Sequence, residues 1–222
     1  MDRITKFPLL DETGQEIVSS LEEINNSMGD YIASNNPYYA YLEDRKIGTL
    51  LSTEITKVRD YGLYKRESLM AIDLPKCINV GIKAFYNCTA LENVNLPECI
   101  NVGPFAFYNC EKLQNVNIPK CTIIKGSAFQ YCNFKKIDLN FVEKIESSAF
   151  YNCTALECVK ISNTETMCVL ADTSAFHGTL IASGNGYIYV PDKLIEQYKT
   201  ATNWSVYASQ IKPLSEYVES EE

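Results

Sequence analysis

The sequence predicts an α/β repeat solenoid, in which each unit adds a short strand and a turn to a stack of similar units. One five-residue phrase occurs four times, with its phenylalanines at Phe85, Phe107, Phe129 and Phe150, which are 22, 22 and 21 residues apart. A period of that length is typical of solenoid repeats. The same step relates two further series, which are Leu69, Leu91 and Leu113, and Pro75, Pro97 and Pro119.

The strand of each unit is predicted by the alternation of residues within the repeat. In residues 91–96, Leu91, Val94 and Leu96 are apolar and the residues between them are polar. This spacing suits a short strand with one buried and one solvated side. Pro97 has no amide N–H and therefore ends the strand. Because a single unit cannot bury its own apolar side, the fold has to be stabilised by contacts between neighbouring units.

The complete unit reads apolar-x-x-Val-x-x-x-Ala-Phe-x-x-Cys-x-x-Leu-x-x-Val-x-Leu-Pro, and it resembles the BspA-like class of leucine-rich repeats. The resemblance rests on Ala-Phe-x-x-Cys, on the leucine three residues later and on the strand that ends in proline. It covers residues 53–190. It implies a leucine-rich-repeat right-handed coil with short stacked strands on its concave side, and a role in adhesion or recognition. It implies no particular ligand.

The residues before the array divide into a helical segment, 1–36, and a linker or amino-terminal cap, 37–52. Apolar residues spaced 4, 3, 4 and 3 apart predict an amphipathic helix within residues 15–32, namely Ile17, Leu21, Ile24, Met28 and Tyr31. This helix either packs on the first repeat or joins copies of the chain into a homo-oligomer. The phrase at residues 7–15 also resembles amino-terminal segments of phage and prophage tail-associated proteins, which implies a part in an assembly.

Residues 191–222 are expected to form a carboxyl-terminal helical cap followed by an acidic tail. Pro191 and Asp192 are residues favoured at the amino end of a helix, and the segment resembles the closing helix of BspA-like arrays. Its apolar side consists of Leu194, Ile195, Tyr198, Ala201 and Trp204. We therefore expect Trp204 to be buried in the cap and not exposed as a platform for a sugar.

The chain has nine cysteines, and those from Cys77 to Cys132 recur every 11 residues, which places them in two alternating slots of the unit. Small buried apolar side chains are the favoured interpretation, with disulfides or a metal site as alternatives. His177 is the only histidine, and no Cys-x-x-Cys pair is present. The sequence therefore predicts no metal site, no cofactor, no catalytic residue and no enzymatic activity.

The charge and hydropathy of the chain disfavour two classes of partner. The 20 basic and 28 acidic residues give a net charge of -8, with no basic run to attract nucleic acid. No apolar run has the length of a membrane span, so no membrane insertion is expected. Residues 1–8 show no apolar leader, and the location of the protein stays open, with display on a cell surface or a virion as the two candidates.

The solvated side of the strands is the predicted ligand-binding surface. Its polar residues on the concave face are Glu92, Asn93, Asn95, Gln114, Asn115, Asn117, Lys135, Lys136 and Asp138. Amides both donate and accept hydrogen bonds, so they suit sugars and peptide groups. A second candidate is an aromatic stripe of Tyr86, Tyr108 and Tyr151, which either grips a chain-like ligand or only covers the edge of the stack.

These observations predict a non-enzymatic binding or adhesion module that recognises a protein or glycan partner through the concave strand face. The alternative function is a structural component of a phage tail or surface assembly that is oligomerised by the amino-terminal helix.

Overall fold

The structure, a computed structural model, describes residues 9–11, 16–18, 47–53, 55–163 and 166–219. The repeat array is a solenoid of stacked parallel strands, with two lines of strands running along it. The first line contains β3 (Ile47–Leu51), β5 (Ala71–Asp73), β7 (Asn93–Asn95), β9 (Asn115–Asn117), β11 (Lys136–Leu139), β13 (Cys158–Ile161), β15 (Tyr187–Val190) and β16 (Ile211–Pro213).

The second line lies on another side of each coil and forms one six-stranded parallel sheet. Its members are β4 (Lys57–Val58), β6 (Asn79–Val80), β8 (Asn101–Val102), β10 (Ile123–Ile124), β12 (Lys144–Ile145) and β14 (Val169–Leu170). The predicted α/β class is therefore confirmed only in part. The stacked strands are present, but the rest of each coil is a second short strand and turns, and helix is scarce among the described residues.

Rows of identical side chains fill the space between the two lines of strands. Phe85, Phe107, Phe129, Phe150 and Phe176 are fully buried, and their rings stack with centroids 4.9, 5.2, 5.8 and 5.5 Å apart. These distances are close to the spacing of neighbouring strands. Each unit thus covers the rings of the one before it, which is how a repeat too small to hold its own core becomes stable.

The cysteines form two more buried rows, as the favoured interpretation predicted, and all nine thiols are free. In one row the Cys110 sulfur donates to the Phe85 carbonyl at 3.2 Å and the Cys132 sulfur to the Phe107 carbonyl at 3.0 Å. In the other row the Cys99 sulfur donates to the Asn101 carbonyl at 3.3 Å. A thiol fills the space of a small apolar residue and also supplies a weak donor to the backbone. The disulfide alternative is wrong in this structure.

The first line of strands is interrupted between β9 and β11, which belong to different sheets. Cys110 and Leu113 are three residues apart, whereas Cys132 and Phe134, which hold the corresponding slots, are two apart. Phe134 is fully buried and packs edge-on against Phe129. The loss of one residue thus shifts β11 out of the hydrogen-bonded ladder. The second line continues across this point, because β10 pairs in parallel with β12.

The amino-terminal helix does not begin where the heptad pattern placed it. Glu16–Val18 is a strand, β2, which pairs antiparallel with β1 (Leu9–Asp11). β1 in turn pairs antiparallel with β3, so these strands extend the first line at its amino end. Backbone pairing with an open sheet edge therefore overrides the helical pattern here. The other residues of the predicted helix lie outside the described residues.

The carboxyl segment folds against the last coil. A 3-10 turn (Asp192–Leu194) leads into the helix α1 (Ile195–Thr200). Tyr198 and Trp204 are fully buried, so the expectation that Trp204 is a packing residue is confirmed. The Trp204 indole donates to the Cys168 carbonyl at 2.8 Å, and the Tyr198 hydroxyl accepts from the Cys168 amide at 2.8 Å.

The close approach of successive coils predicts a strong difference between two glycine substitutions. A Cβ on Gly103 would lie 2.7 Å from the Gly81 carbonyl carbon, whereas a Cβ on Gly126 meets nothing nearer than the Ser147 carbonyl oxygen at 3.5 Å. Gly103→Ala should lower the free energy of unfolding by about 1–3 kcal/mol, because backbone has to move. Gly126→Ala should change it by less than about 0.5 kcal/mol. Urea unfolding followed by circular dichroism measures both, and equal effects would contradict the close coil contact.

Candidate functional site

The outward side of β7, β9, β11 and β13 is called the ladder face here. Parallel pairing places Asn93 beside Asn115 and Asn95 beside Asn117. The Asn115 amide donates to the Asn93 side-chain oxygen at 2.8 Å, and the Asn117 amide donates to that of Asn95 at 2.6 Å. Asn95 in turn donates to Asp73 at 2.7 Å. The amides are therefore fixed in two rows, and each keeps a second N–H that the ladder does not use.

Two adjacent depressions lie on the ladder face, and each is lined by residues from both sides of the break in the strand line. The first has a volume of about 390 Å³ and is lined by Asn93, Val94, Asn95, Gln114, Asn115, Val116, Asn117, Lys136, Asp138, Tyr217 and Glu219. The second has a volume of about 460 Å³ and is lined by Gln114, Asn115, Asn133, Lys135, Lys136 and Ala155. Because Gln114, Asn115 and Lys136 line both, the depressions form one continuous polar surface.

The structure thus brings together nearly all of the residues predicted for the concave face. Of the predicted residues, only Glu92 lines neither depression, and it is half-buried at the start of β7. The sequence analysis missed Tyr217 and Glu219, which come from the acidic tail and have no equivalent in the repeat. Asn133 was also missed, although it directly precedes Phe134 in the shortened unit.

The charge of the ladder face changes along the array. β11 and β13 pair in register, which places Asp138 beside Lys160, and the Lys160 ammonium lies 2.5 Å from the Asp138 carboxylate. Partial burial of the Lys160 ammonium favours its neutral form, but the hydrogen bond to Asp138 outweighs this and raises the pKa of Lys160. Lys135 and Lys136 are exposed next to this pair. This half of the ladder face therefore carries lysines next to carboxylates, and the half on β7 and β9 presents neutral amides.

Cys158 is the most accessible thiol of the chain and lies on the ladder face, beside Lys136 of β11 and Tyr187 of β15. Burial, followed by the nearby Asp138 carboxylate, raises the pKa of Cys158 to about 11. The thiolate is therefore scarce near neutral pH, and the thiol is not an activated nucleophile.

The aromatic stripe is continuous along the edge of the stack, and its rings face one another. The rings of Tyr86 and Tyr108 stack 4.6 Å apart at 2°, and Tyr64 extends the stack at 5.1 Å. Tyr151 stacks on His177 at 5.0 Å. Rings that cover one another leave edges and hydroxyls for solvent, not open faces. This arrangement supports the interpretation that the tyrosines cover the edge of the stack.

Tyr131 keeps the stripe continuous where the repeat departs from its usual phrase. The third copy has Gln130 at the tyrosine position, and Tyr131 occupies the slot that Asn109 and Asn152 hold elsewhere. The Tyr131 ring meets Tyr108 edge-on with centroids 5.4 Å apart. Its φ is 63°, a left-handed conformation that asparagine tolerates better than tyrosine. The third unit therefore carries local backbone strain.

The side chains that commonly bind metal ions are dispersed in the described part of the chain. Within it, no three His, Cys, Asp or Glu side chains are placed to hold a metal ion. His177, the only histidine, stacks on Tyr151 at the exposed edge. Across residues 9–219 as far as they are described, no helix is both long enough and apolar enough to span a bilayer.

Parallel stacked coils around rows of phenylalanine and cysteine define a β-solenoid repeat protein. Six copies of the BspA type leucine-rich repeat region match residues 78–195, more than half of the sequence. The chain therefore belongs to the BspA-type leucine-rich-repeat family. No curated protein sequence matches it.

The comparison with solved structures includes two matches, of which the first shows a similar fold. A leucine-rich repeat protein from Bacteroides ovatus superposes with a TM-score of 0.57 at 21% identity, over 76% of this chain and 42% of that chain. A leucine rich cell surface protein from Faecalibacterium prausnitzii gives a TM-score of 0.40 at 19% identity, over 53% of this chain and 40% of that one. The chain thus spans less than half the length of either structure.

Restoring the usual phrase in the third unit should stabilise the protein. The double substitution Gln130→Tyr with Tyr131→Asn places the ring at the regular position and asparagine at the left-handed one. We expect about 1 kcal/mol of added stability, which for a chain of this size raises Tm by about 2–4 °C. Thermal unfolding measures the change. Gln130→Tyr alone is the matched control, and an equal rise for that single variant would show that Tyr131 is not strained.

The burial of the thiols predicts that Cys158 alone reacts in the native protein. At pH 8 a thiol reagent such as dithiobis-nitrobenzoate should modify one group per chain slowly, and all nine after unfolding in guanidinium. Cys158→Ser should abolish the native reaction. Rapid modification of two or more native thiols would contradict the burial of the cysteine rows.

Proposed function

We propose that the chain is a non-enzymatic recognition module that binds a protein or glycan partner through the ladder face, taken as the concave side of the solenoid. The observation that carries this proposal is the pair of depressions lined by the fixed amides and by Lys135 and Lys136. Their volumes fall in the range of ordinary ligand sites. Family membership supports it, because extended strand faces are the surfaces with which repeat proteins bind.

The amide rows suit hydroxyl-rich or peptide ligands for a physical reason. Asn95, Asn115 and Asn117 each donate one N–H to the preceding coil and keep another donor and acceptor lone pairs for a partner. Because the ladder fixes the side chains before binding, little rotamer entropy is lost when the ligand arrives. Ligand groups spaced by about 4.8 Å, the distance between strands, match this surface best.

The proposal includes closed ends, so that the array offers its sides and not its core to partners. The packing of Tyr198 and Trp204 on the last coil supports a capping role for the carboxyl segment. Without such cover, Phe176 and Cys168 would face solvent and favour self-association. Display of this module at a cell surface is part of the proposal, and membership of the BspA-type family supports it.

Two matched asparagine substitutions test the proposed surface. Asn115 and Asn101 both donate to an asparagine in the preceding coil, at 2.8 and 3.0 Å, but Asn115 lies on the ladder face and Asn101 on the second line of strands. A glycan array and a displayed peptide library, both screened with the full chain, supply the ligands. Asn115→Ala should weaken a selected ligand about five- to tenfold, which is about 1–1.4 kcal/mol.

Asn101→Ala should leave the same affinity unchanged, as measured by biolayer interferometry. Ligands that are indifferent to Asn115→Ala, or that respond equally to both substitutions, would show that the ladder face is not the binding surface.

A further inference from the structure

The acidic tail turns back across the first line of strands. After β16, a 3-10 turn (Leu214–Glu216) is held by the Ser215 amide, which donates to the Asp192 carboxylate at 3.1 Å. Tyr217 then packs edge-on against Tyr189 of β15, with ring centroids 5.0 Å apart. Glu219 reaches the depression that β7, β9 and β11 line. The tail therefore runs along the solenoid axis and crosses the strands instead of pairing with one.

Successive tail residues alternate between the sheet and solvent. Tyr217 and Glu219 both line the first depression, whereas the side chain of Val218 between them is 83% exposed. This is the side-chain alternation of an extended peptide. The first depression, called the groove below, is thus lined by every second residue of the tail segment that lies on it.

The tail places an aromatic ring and a carboxylate beside lysine side chains. The Lys160 ammonium lies 4.8 Å from the centre of the Tyr217 ring, within range of a cation–π interaction. The Glu216 carboxylate lies 3.6 Å from the Lys212 ammonium. Lys135 and Lys136, farther along the face, are exposed. The net charge of the chain is -8, so this group of lysines is a local exception.

The geometry points to an extended acidic peptide with a tyrosine as the partner of the β11–β13 part of the ladder face and of the adjoining strand β15, with the tail of the chain as its internal occupant. This inference rests on the proposed function and names the chemistry of the partner. The tail competes in cis at an effective concentration in the millimolar range. An external segment of the same chemistry binds where the tail is displaced, with its tyrosine on Lys160 and Tyr189.

A labelled synthetic peptide of residues 214–222, LSEYVESEE, is the probe, and fluorescence anisotropy measures its binding to the full chain. The wild-type chain should bind the probe weakly, because its own tail occupies the groove. Tyr217→Ala, which removes the internal anchor, should bind the probe at least tenfold more tightly. Adding Lys160→Gln to Tyr217→Ala should reverse this gain, and raising the salt concentration should weaken binding.

Two controls separate groove occupancy from other effects. A peptide with glutamine for each glutamate and serine for tyrosine should not bind, and Tyr151→Ala, on the aromatic stripe, should bind the probe as the wild type does. Equal binding by the wild type and Tyr217→Ala, or no binding by Tyr217→Ala at millimolar probe, would overturn the inference. If Asn115→Ala still weakens selected ligands in that case, the proposed function stands and only the identity of the partner falls.

Discussion

In-register stacking of one coil on the next is the contact on which the rest of the structure depends. The distance between the rings of Phe85 and Phe107, 4.9 Å, is nearly the distance between two hydrogen-bonded strands. One distance between neighbouring coils therefore satisfies both the packing of the core and the hydrogen bonding of the strands. Any side chain that recurs in the sequence must then form a row, whether it is a buried thiol, an edge tyrosine or an outward amide. The rows of amides on the ladder face therefore arise from the stacking itself, independently of any ligand.

Regular stacking alone would give a flat ladder face. The depressions in it come from departures from the repeat. The single residue missing between Cys132 and Phe134 separates β9 from β11, and both depressions lie across this break. The tail adds a further side to the first depression. Tyr217 lines it, and no position of the repeat is equivalent to Tyr217. The features of the site that are specific to this chain thus lie where its sequence is least repetitive.

The parts of the fold that the sequence predicted are those that recur with the period of the repeat. Leu69, Leu91 and Leu113, which the 22-residue step relates, are all fully buried. The second line of strands was not predicted, because pairs such as Asn79–Val80 hold one buried residue each and show no alternation. Ile17 fitted a helical spacing but lies in a strand, since pairing with β1 depends on residues far away in sequence. The asparagines of the site followed from alternation, whereas Tyr217 depends on a tertiary contact with Tyr189.

The gap between β9 and β11 also sets how the array loses its structure. In a solenoid, cooperativity passes from each unit to the next through their shared interface. Across this gap one line of hydrogen-bonded strands is missing, while the β10–β12 pair and backbone hydrogen bonds between the turns continue. The coupling between the two neighbouring units is therefore reduced on the ladder face. A partner that covers the break would add contacts between these units, so that occupancy of the face would appear as a change in unfolding cooperativity as well as in stability.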